Sequence, residues 1–284
     1  MQLKYKGRTE FLRTYPDSEI WPHEKAVAAV FKRLLYPDDI PHIGFITGHY
    51  ERNIDKRGER EYRNHTGGKE SRNALINLGF NVDTLSLDNR DIPDHLRALV
   101  LADPKSALSP VCIEKIRNYI NKGGNMFIMG EPGKQQMVNP VLQQIGVQLA
   151  DGMVVQDSKE EAMDMVAGYA TMALASMVND PANPKFKKRD FEKEVILTQG
   201  VAPIIVSDTA AFAVSSLFNT DKAVTWLKKE FLVRDSAKVP FNAAEGDIRS
   251  LPPVAITLEP GEPMKVTAKS DSSLSGKTRG DTEV

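Results

Sequence analysis

The sequence predicts an α/β fold built on a mainly parallel sheet, and two observations carry that reading. Three apolar runs each stop abruptly in small, charged or proline residues: Ile43 to Arg52, Ala98 to Lys105 and Met126 to Lys134. Strands of a parallel sheet are apolar along their length, and such sheets present polar groups at their carboxyl ends. Between Ile40 and Ile145 these runs alternate with segments of helical spacing, a β-α-β-α-β-α rhythm for which right-handed crossovers are expected.

Each element follows in order. Glu24 to Leu35 carries Val27, Val30, Phe31, Leu34 and Leu35 at helical spacing and stops at Tyr36-Pro37-Asp38-Asp39. Pro41 to Thr47 is a buried strand, Glu70 to Leu78 resumes helical spacing before Gly79, and Phe80 to Leu87 is a second strand. Arg97 to Ala102 is the third. Ser109 as N-cap and Pro110 at the first helical position open a helix with Ile113, Ile116 and Ile120 on one face, closed by Gly123-Gly124. Asn125 to Met129 is the fourth strand, and Lys134 to Ile145 a helix ending at Gly146.

Beyond Asp151 the rhythm weakens. Ser158 to Met177, rich in Met and Ala, reads as a helix or a lid-like insertion, and Asn179 to Asp190 as an exposed loop. Glu194 to Leu197, Ala202 to Val206 and Ala211 to Phe218 read as strands, and Ala223 to Glu230 is ambiguous. This organisation divides the chain into an extension with its helix (1–38), an α/β core (39–150), an irregular, β-containing part of the same or a second subdomain (151–264) and a flexible tail (265–284).

The 284 residues, 41% of them hydrophobic, suffice for one large core or two modest ones. With 37 Lys and Arg against 38 Asp and Glu, the formal charge of -1 offers no field that would draw nucleic acid. The single cysteine, Cys112, excludes an intramolecular disulfide and a cysteine metal cluster.

The strings Ile46-Thr47-Gly48-His49-Tyr50-Glu51, Asn77-Leu78-Gly79-Phe80 with Leu85-Ser86-Leu87, and Ala102 to Ser109 ahead of Tyr119-Ile120-Asn121-Lys122-Gly123-Gly124 resemble the soluble domain of GldG-type proteins. These are auxiliary components of ABC-2 type transport systems first associated with gliding motility, and a related domain occurs in an intraflagellar-transport subunit. The resemblance is densest over Glu24 to Ala150. It implies helices on both faces of the sheet, in a class I glutamine amidotransferase-like or flavodoxin-like layout. It also implies display on the extracytoplasmic, periplasmic face of the membrane, with ABC-2 type permease and ATPase subunits as partners. Members of that family usually continue into an acidic turn and a membrane helix; Val254 to Val284 holds no such turn, which suits a truncated or excised domain without deciding it.

The candidate ligand-binding residues are Thr47, His49, Glu51 and Arg52 after the first strand, Asp103 and Lys105 after the third, and Glu131 after the fourth. Hydroxyl, imidazole, carboxylate and guanidinium groups suit a polar small molecule or a glycan, with Arg52 forking onto a carboxylate. The same residues also suit a tight turn and surface pairing. No cofactor is expected: the dinucleotide and P-loop spacings are missing at Gly130-Glu131-Pro132-Gly133-Lys134. No metal is expected, because His42, His49, His65 and His95 show no HxH, HxxxH or HExxH spacing, and Asp88, Asp91 and Asp94 lack the rest of a calcium loop. No catalytic residue is expected either. The turn after the third strand, Ala102-Asp103-Pro104-Lys105, holds neither Cys nor Ser, and Cys112 lies inside the next helix. The favoured function is a non-catalytic extracytoplasmic binding or scaffolding domain. The alternatives are a carbohydrate- or polar-ligand-binding module and a divergent amidotransferase-like hydrolase.

Overall fold

The computed structural model of the chain describes residues 1–16, 20–58, 60–178, 195–208, 212–229, 239–249 and 253–260. The predicted loop Asn179 to Asp190 and the tail 265–284 lie outside the described residues.

The first element is a hairpin that periodicity did not reveal. Strands β1 (Gln2–Tyr5) and β2 (Arg8–Phe11) pair antiparallel around Lys6 and Gly7, whose φ values of 46° and 77° are both positive. Positive φ at both central residues marks the turn type that matches strand twist, but it is usually signalled by Asn-Gly or Asp-Gly. Helix α1 spans Glu24–Leu35 as predicted. Its buried stripe is narrower than the spacing suggested: Ala29, Val30 and Leu34 are buried, whereas Phe31 and Leu35 are exposed. At Gly79 (φ 91°) an added Cβ would stand 3.2 Å from the Ala29 Cβ, so the chain and α1 meet at contact distance.

The central sheet has the order β4-β3-β5-β6, with β3 (His42–Ile46), β4 (Asn81–Leu85), β5 (Leu96–Ala102) and β6 (Asn125–Met129) all parallel. One face carries Ile46, Leu85, Leu99 and Leu101. They share a buried cluster with Cys112 and Ile116 of α2 (Pro110–Asn121) and Val138, Val141 and Leu142 of α3 (Gln135–Leu142). Ser109 caps α2 as expected, its Oγ accepting from the Cys112 amide at 3.1 Å.

The opposite face departs from the helices-on-both-faces expectation. Phe45, Val100 and Ala102 are covered by Ile54, Tyr62 and Leu75, which lie in chain without an α-helix. The predicted helix Glu70 to Leu78 is a run of turns containing one 3-10 turn, Leu75–Asn77. Buried Asn77 explains it. Its Nδ2 donates to the carbonyls of Ser71 (2.8 Å), Lys69 (3.2 Å) and Gly68 (3.4 Å), and the first two are acceptors that a helix over Glu70 to Leu78 would have used.

The remaining strands are β7 (Val147–Leu149), β8 (Met153–Gln156), β9 (Met165–Ala170), β10 (Val195–Gln199), β11 (Ile204–Val206), β12 (Phe212–Thr220), β13 (Thr225–Lys228) and β14 (Ala255–Pro260). They form an antiparallel sheet β10-β9-β12-β14 and the antiparallel pairs β11-β7 and β13-β8. The segment expected to be a helix or lid, Ser158 to Met177, divides into β9 and a short helix α4 (Met172–Val178). Val166 and Ala167 are buried, and Gly168 lets Phe218 of β12 approach, its Cβ standing 3.3 Å from where a glycine side chain would begin. The ambiguous stretch from Ala223 resolves as β13, buried at all four positions. The main core continues into these strands through Val147, Leu149 and Ala202, with Ile204, Val206, Ile256 and Leu258 packed against it.

Candidate functional site

The carboxyl ends of β3, β4, β5 and β6 gather the predicted residues into two neighbouring ion clusters. In the first, His49 is 5% exposed and lies between two carboxylates: Nδ1 is 3.1 Å from Glu51 Oε1 and Nε2 is 3.3 Å from Asp88 Oδ2. Glu51, its side chain 2% exposed, also accepts from the His49 amide at 2.7 Å, so the turn folds back on its own backbone. Asp88 accepts in addition from the Ser109 hydroxyl. The chain of contacts is therefore Ser109, Asp88, His49, Glu51.

In the second cluster Arg52 Nε pairs with the Asp103 carboxylate, and Lys105 Nζ with Glu131. Arg60 Nη2 lies 2.7 Å and Arg52 Nη2 3.9 Å from Glu131 Oε1, which has hydrogen-bond geometry to neither. The Arg52 guanidinium stands 5.5 Å over the Tyr62 ring, and the Tyr62 hydroxyl meets Met129 Sδ at 3.1 Å. Backbone bonds join the clusters: the Lys105 and Ser106 amides donate to the His49 carbonyl at 2.8 and 3.2 Å. Among the described residues Thr47 enters neither cluster; its amide donates to the Leu85 carbonyl at 3.0 Å and prolongs the β3–β4 ladder.

The electrostatics follow from this pairing. Burial pushes the Glu131 carboxyl up, but the Lys105 hydrogen bond and the charges of Lys105, Arg60 and Arg52 outweigh it and hold the group below its ordinary value. Burial, then the Asp103 charge, pushes the Tyr62 hydroxyl up to about 12. Two of the three non-glycine residues with positive φ among those described sit here, Tyr50 (61°) and Asp103 (48°). Backbone held in the left-handed region costs about 1–3 kcal/mol per residue and persists where the surroundings enforce it. For Asp103 the enforcing contacts are its ion pair with Arg52 and its amide bond to the Met129 carbonyl at 3.1 Å.

This geometry limits the chemistry. A hydrolytic triad places histidine between the hydroxyl and the carboxylate, so that the imidazole can take the hydroxyl proton. Here a carboxylate stands between Ser109 and His49. The turn after β5, where a strained nucleophile would sit, holds Asp103 with its carboxylate committed to Arg52. Cys112 is fully buried, and burial, reinforced by the Asp88 and Glu51 charges, pushes its thiol up to about 12, so little nucleophilic thiolate forms. Cavities open elsewhere: one of about 730 Å³ between the start of β5 and the end of α2, and one of about 430 Å³ beside Trp226.

Sequence reading did not place Asp88, Arg60 or Tyr62 in these clusters: it weighed Asp88 only as a calcium ligand and Tyr62 only as an aromatic surface for a glycan. Asp88 could have been found, because it follows the second parallel strand as directly as Glu51 follows the first. Arg60 and Tyr62 lie in a charged stretch whose return to the sheet end no periodicity reports.

Among the described residues no helix is long and apolar enough to cross a membrane. No curated protein matches this chain. Of solved structures, the chain is similar to the mmIFT52 N-terminal domain (13% identity, 65% of this chain and 74% of that one, TM-score 0.45). It is also similar to the structure of PurLQS from Thermotoga maritima (16% identity, 65% of this chain and 76% of that one, TM-score 0.31). Likeness at this level carries no functional argument. The family described as an ABC-type uncharacterized transport system matches residues 41–256, a span running from the edge of β3 into β14. By that match, which covers well over half of its length, the chain belongs to the family of auxiliary components of ABC-type transport systems.

Proposed function

We propose that this chain is a non-catalytic binding or scaffolding domain on the extracytoplasmic, periplasmic face of the membrane, joined to ABC-2 type permease and ATPase subunits in a gliding-associated or export system of the GldG type. Its parallel sheet is read as a reduced amidotransferase-like or flavodoxin-like layer with one helical face. The observation that carries the reading is Asp103: the strained turn that would present a nucleophile presents a carboxylate locked to Arg52. A polar group fully committed to internal ion pairs holds the sheet end in shape and leaves little for a reaction.

The test is an assay of the purified chain against p-nitrophenyl esters, glutamine and p-nitrophenyl glycosides. Turnover at the buffer rate is expected. A turnover that His49→Gln or Cys112→Ala abolishes would show a hydrolase instead. Co-purification of the chain with the permease and ATPase subunits from detergent-solubilised membranes tests the scaffolding half.

Carbohydrate binding is the second reading, favoured by the exposure of Trp21 (81%) and Tyr50 (78%), the latter beside the ion clusters. A glycan array on which wild type binds and Tyr50→Ala does not would establish it.

A further inference from the structure

The opposite, amino end of the same sheet brings together three groups that the sequence keeps 41 and 12 residues apart: His42, the first residue of β3, Asp83 in β4, and His95, directly before β5. One ligand atom from each lies within 4.8 Å of the others. The His42 and His95 rings stand edge to face, 5.0 Å apart at 89°. We propose that His42, Asp83 and His95 form a site for a divalent transition metal ion of the zinc, nickel or cobalt type. Two imidazoles and one carboxylate match such ions, whereas Mg²⁺ and Ca²⁺ prefer an all-oxygen set. Three protein ligands leave further coordination positions to water, and the exposure of His95 gives the ion its approach.

The surroundings of His42 define how loading proceeds. Arg33 Nη1 donates to Asn81 Oδ1 at 2.7 Å, which turns the Asn81 amide nitrogen to His42 Nε2 at 3.0 Å. Nε2 is therefore the acceptor, and Nδ1 carries the proton that it shares with Asp83 Oδ2 at 2.6 Å. A metal ion entering between His42 Nδ1 and Asp83 takes the place of that proton, which moves to Nε2; the ring stays neutral, no proton leaves the site, and the Asp83 carboxylate offsets part of the ion's charge. Nε2–H then needs an acceptor, and the Asn81 amide turns over to present Oδ1. That rotation opposes Arg33, so the asparagine restrains affinity. A carboxylate at this position would accept from Arg33 and from Nε2–H together, the arrangement that commonly orients a metal-bound histidine.

Calorimetric titration of the metal-stripped full chain with ZnCl2 tests this, with MgCl2 as control. We expect one Zn²⁺ per chain and no Mg²⁺ signal. His95→Ala and Asp83→Asn should each weaken Zn²⁺ binding at least tenfold with circular dichroism unchanged, and Asn81→Asp should tighten it about tenfold. Absence of saturable binding in the wild type overturns the site, as does binding that neither His95→Ala nor Asp83→Asn alters, which would place the ion on other histidines. An Asn81→Asp variant that fails to tighten binding overturns ligation through His42 Nδ1.

Discussion

The two ends of the parallel sheet hold similar residue types in opposite states. At the carboxyl end, His49 and Asp103 are each 5% exposed, their charged partners come from the same or neighbouring strand-end turns, and the backbone is held in strained conformations at Tyr50 and Asp103. At the amino end, the side chains of His42 and Asp83 are 30% and 44% exposed, His95 is exposed, and none of the three has a positive φ. Loops leaving parallel strands at their carboxyl ends must turn sharply toward the next helix, so that end accumulates polar groups and strain. In this protein the polar groups are used up on one another. The difference teaches that a crowded polar sheet end is not by itself a vacant site, and that ligation capacity survives where pairing is partial.

Four variants or treatments break or sharpen that contrast. Arg52→Ala should have the largest effect, about 3 kcal/mol by urea denaturation, because it strands the Asp103 carboxylate in a buried, strained turn. Adding Asp103→Asn to Arg52→Ala should restore part of the loss; full additivity of the two would mean that the residues are not coupled.

Glu131→Gln should cost about 1 kcal/mol at pH 7, a modest figure because Lys105 and Arg60 remain partly in solvent. The sign with pH is set by the lowered carboxyl. The stability it contributes is complete above the ordinary value of 4.5 and is lost as pH falls through and below that value. Wild type and Glu131→Gln should therefore converge in acid, and a gap that widens on acidification would refute the pairing.

His95→Ala without metal should change stability by less than about 0.5 kcal/mol, as expected of an exposed side chain. With Zn²⁺ at a concentration that saturates the wild type, the wild type should gain more melting temperature than His95→Ala. Smallest of all, Cys112 should stay unmodified by a thiol reagent such as DTNB in the native protein at pH 8 and react fully in urea, since it is 0% exposed with its thiol raised to about 12. Rapid native labelling would mean that α2 opens readily from the sheet.

The sequence by itself determined the four parallel strands, α1 and the capped α2. The signals are clearest where local pattern and burial agree: the apolar run of β5, buried at five of its seven positions, and serine with proline at the start of α2. It also placed Glu51, Arg52, Asp103, Lys105 and Glu131 just after strands of one parallel sheet, whose carboxyl ends lie on the same side, without deciding that they would meet. Only the tertiary structure decided how they pair, since Arg52 reaches Asp103 across 51 residues and Lys105 reaches Glu131 across 26. The same holds where a side chain overrode periodicity, as Asn77 did in unmaking the expected helix at Glu70 to Leu78. Likewise His42, Asp83 and His95 carry no motif in the chain, because strand register, which aligns His42 with Asn81 and Leu96, sets their distances. Local propensity is written in neighbouring residues, whereas ion pairs and metal sites depend on distances that only the folded backbone fixes.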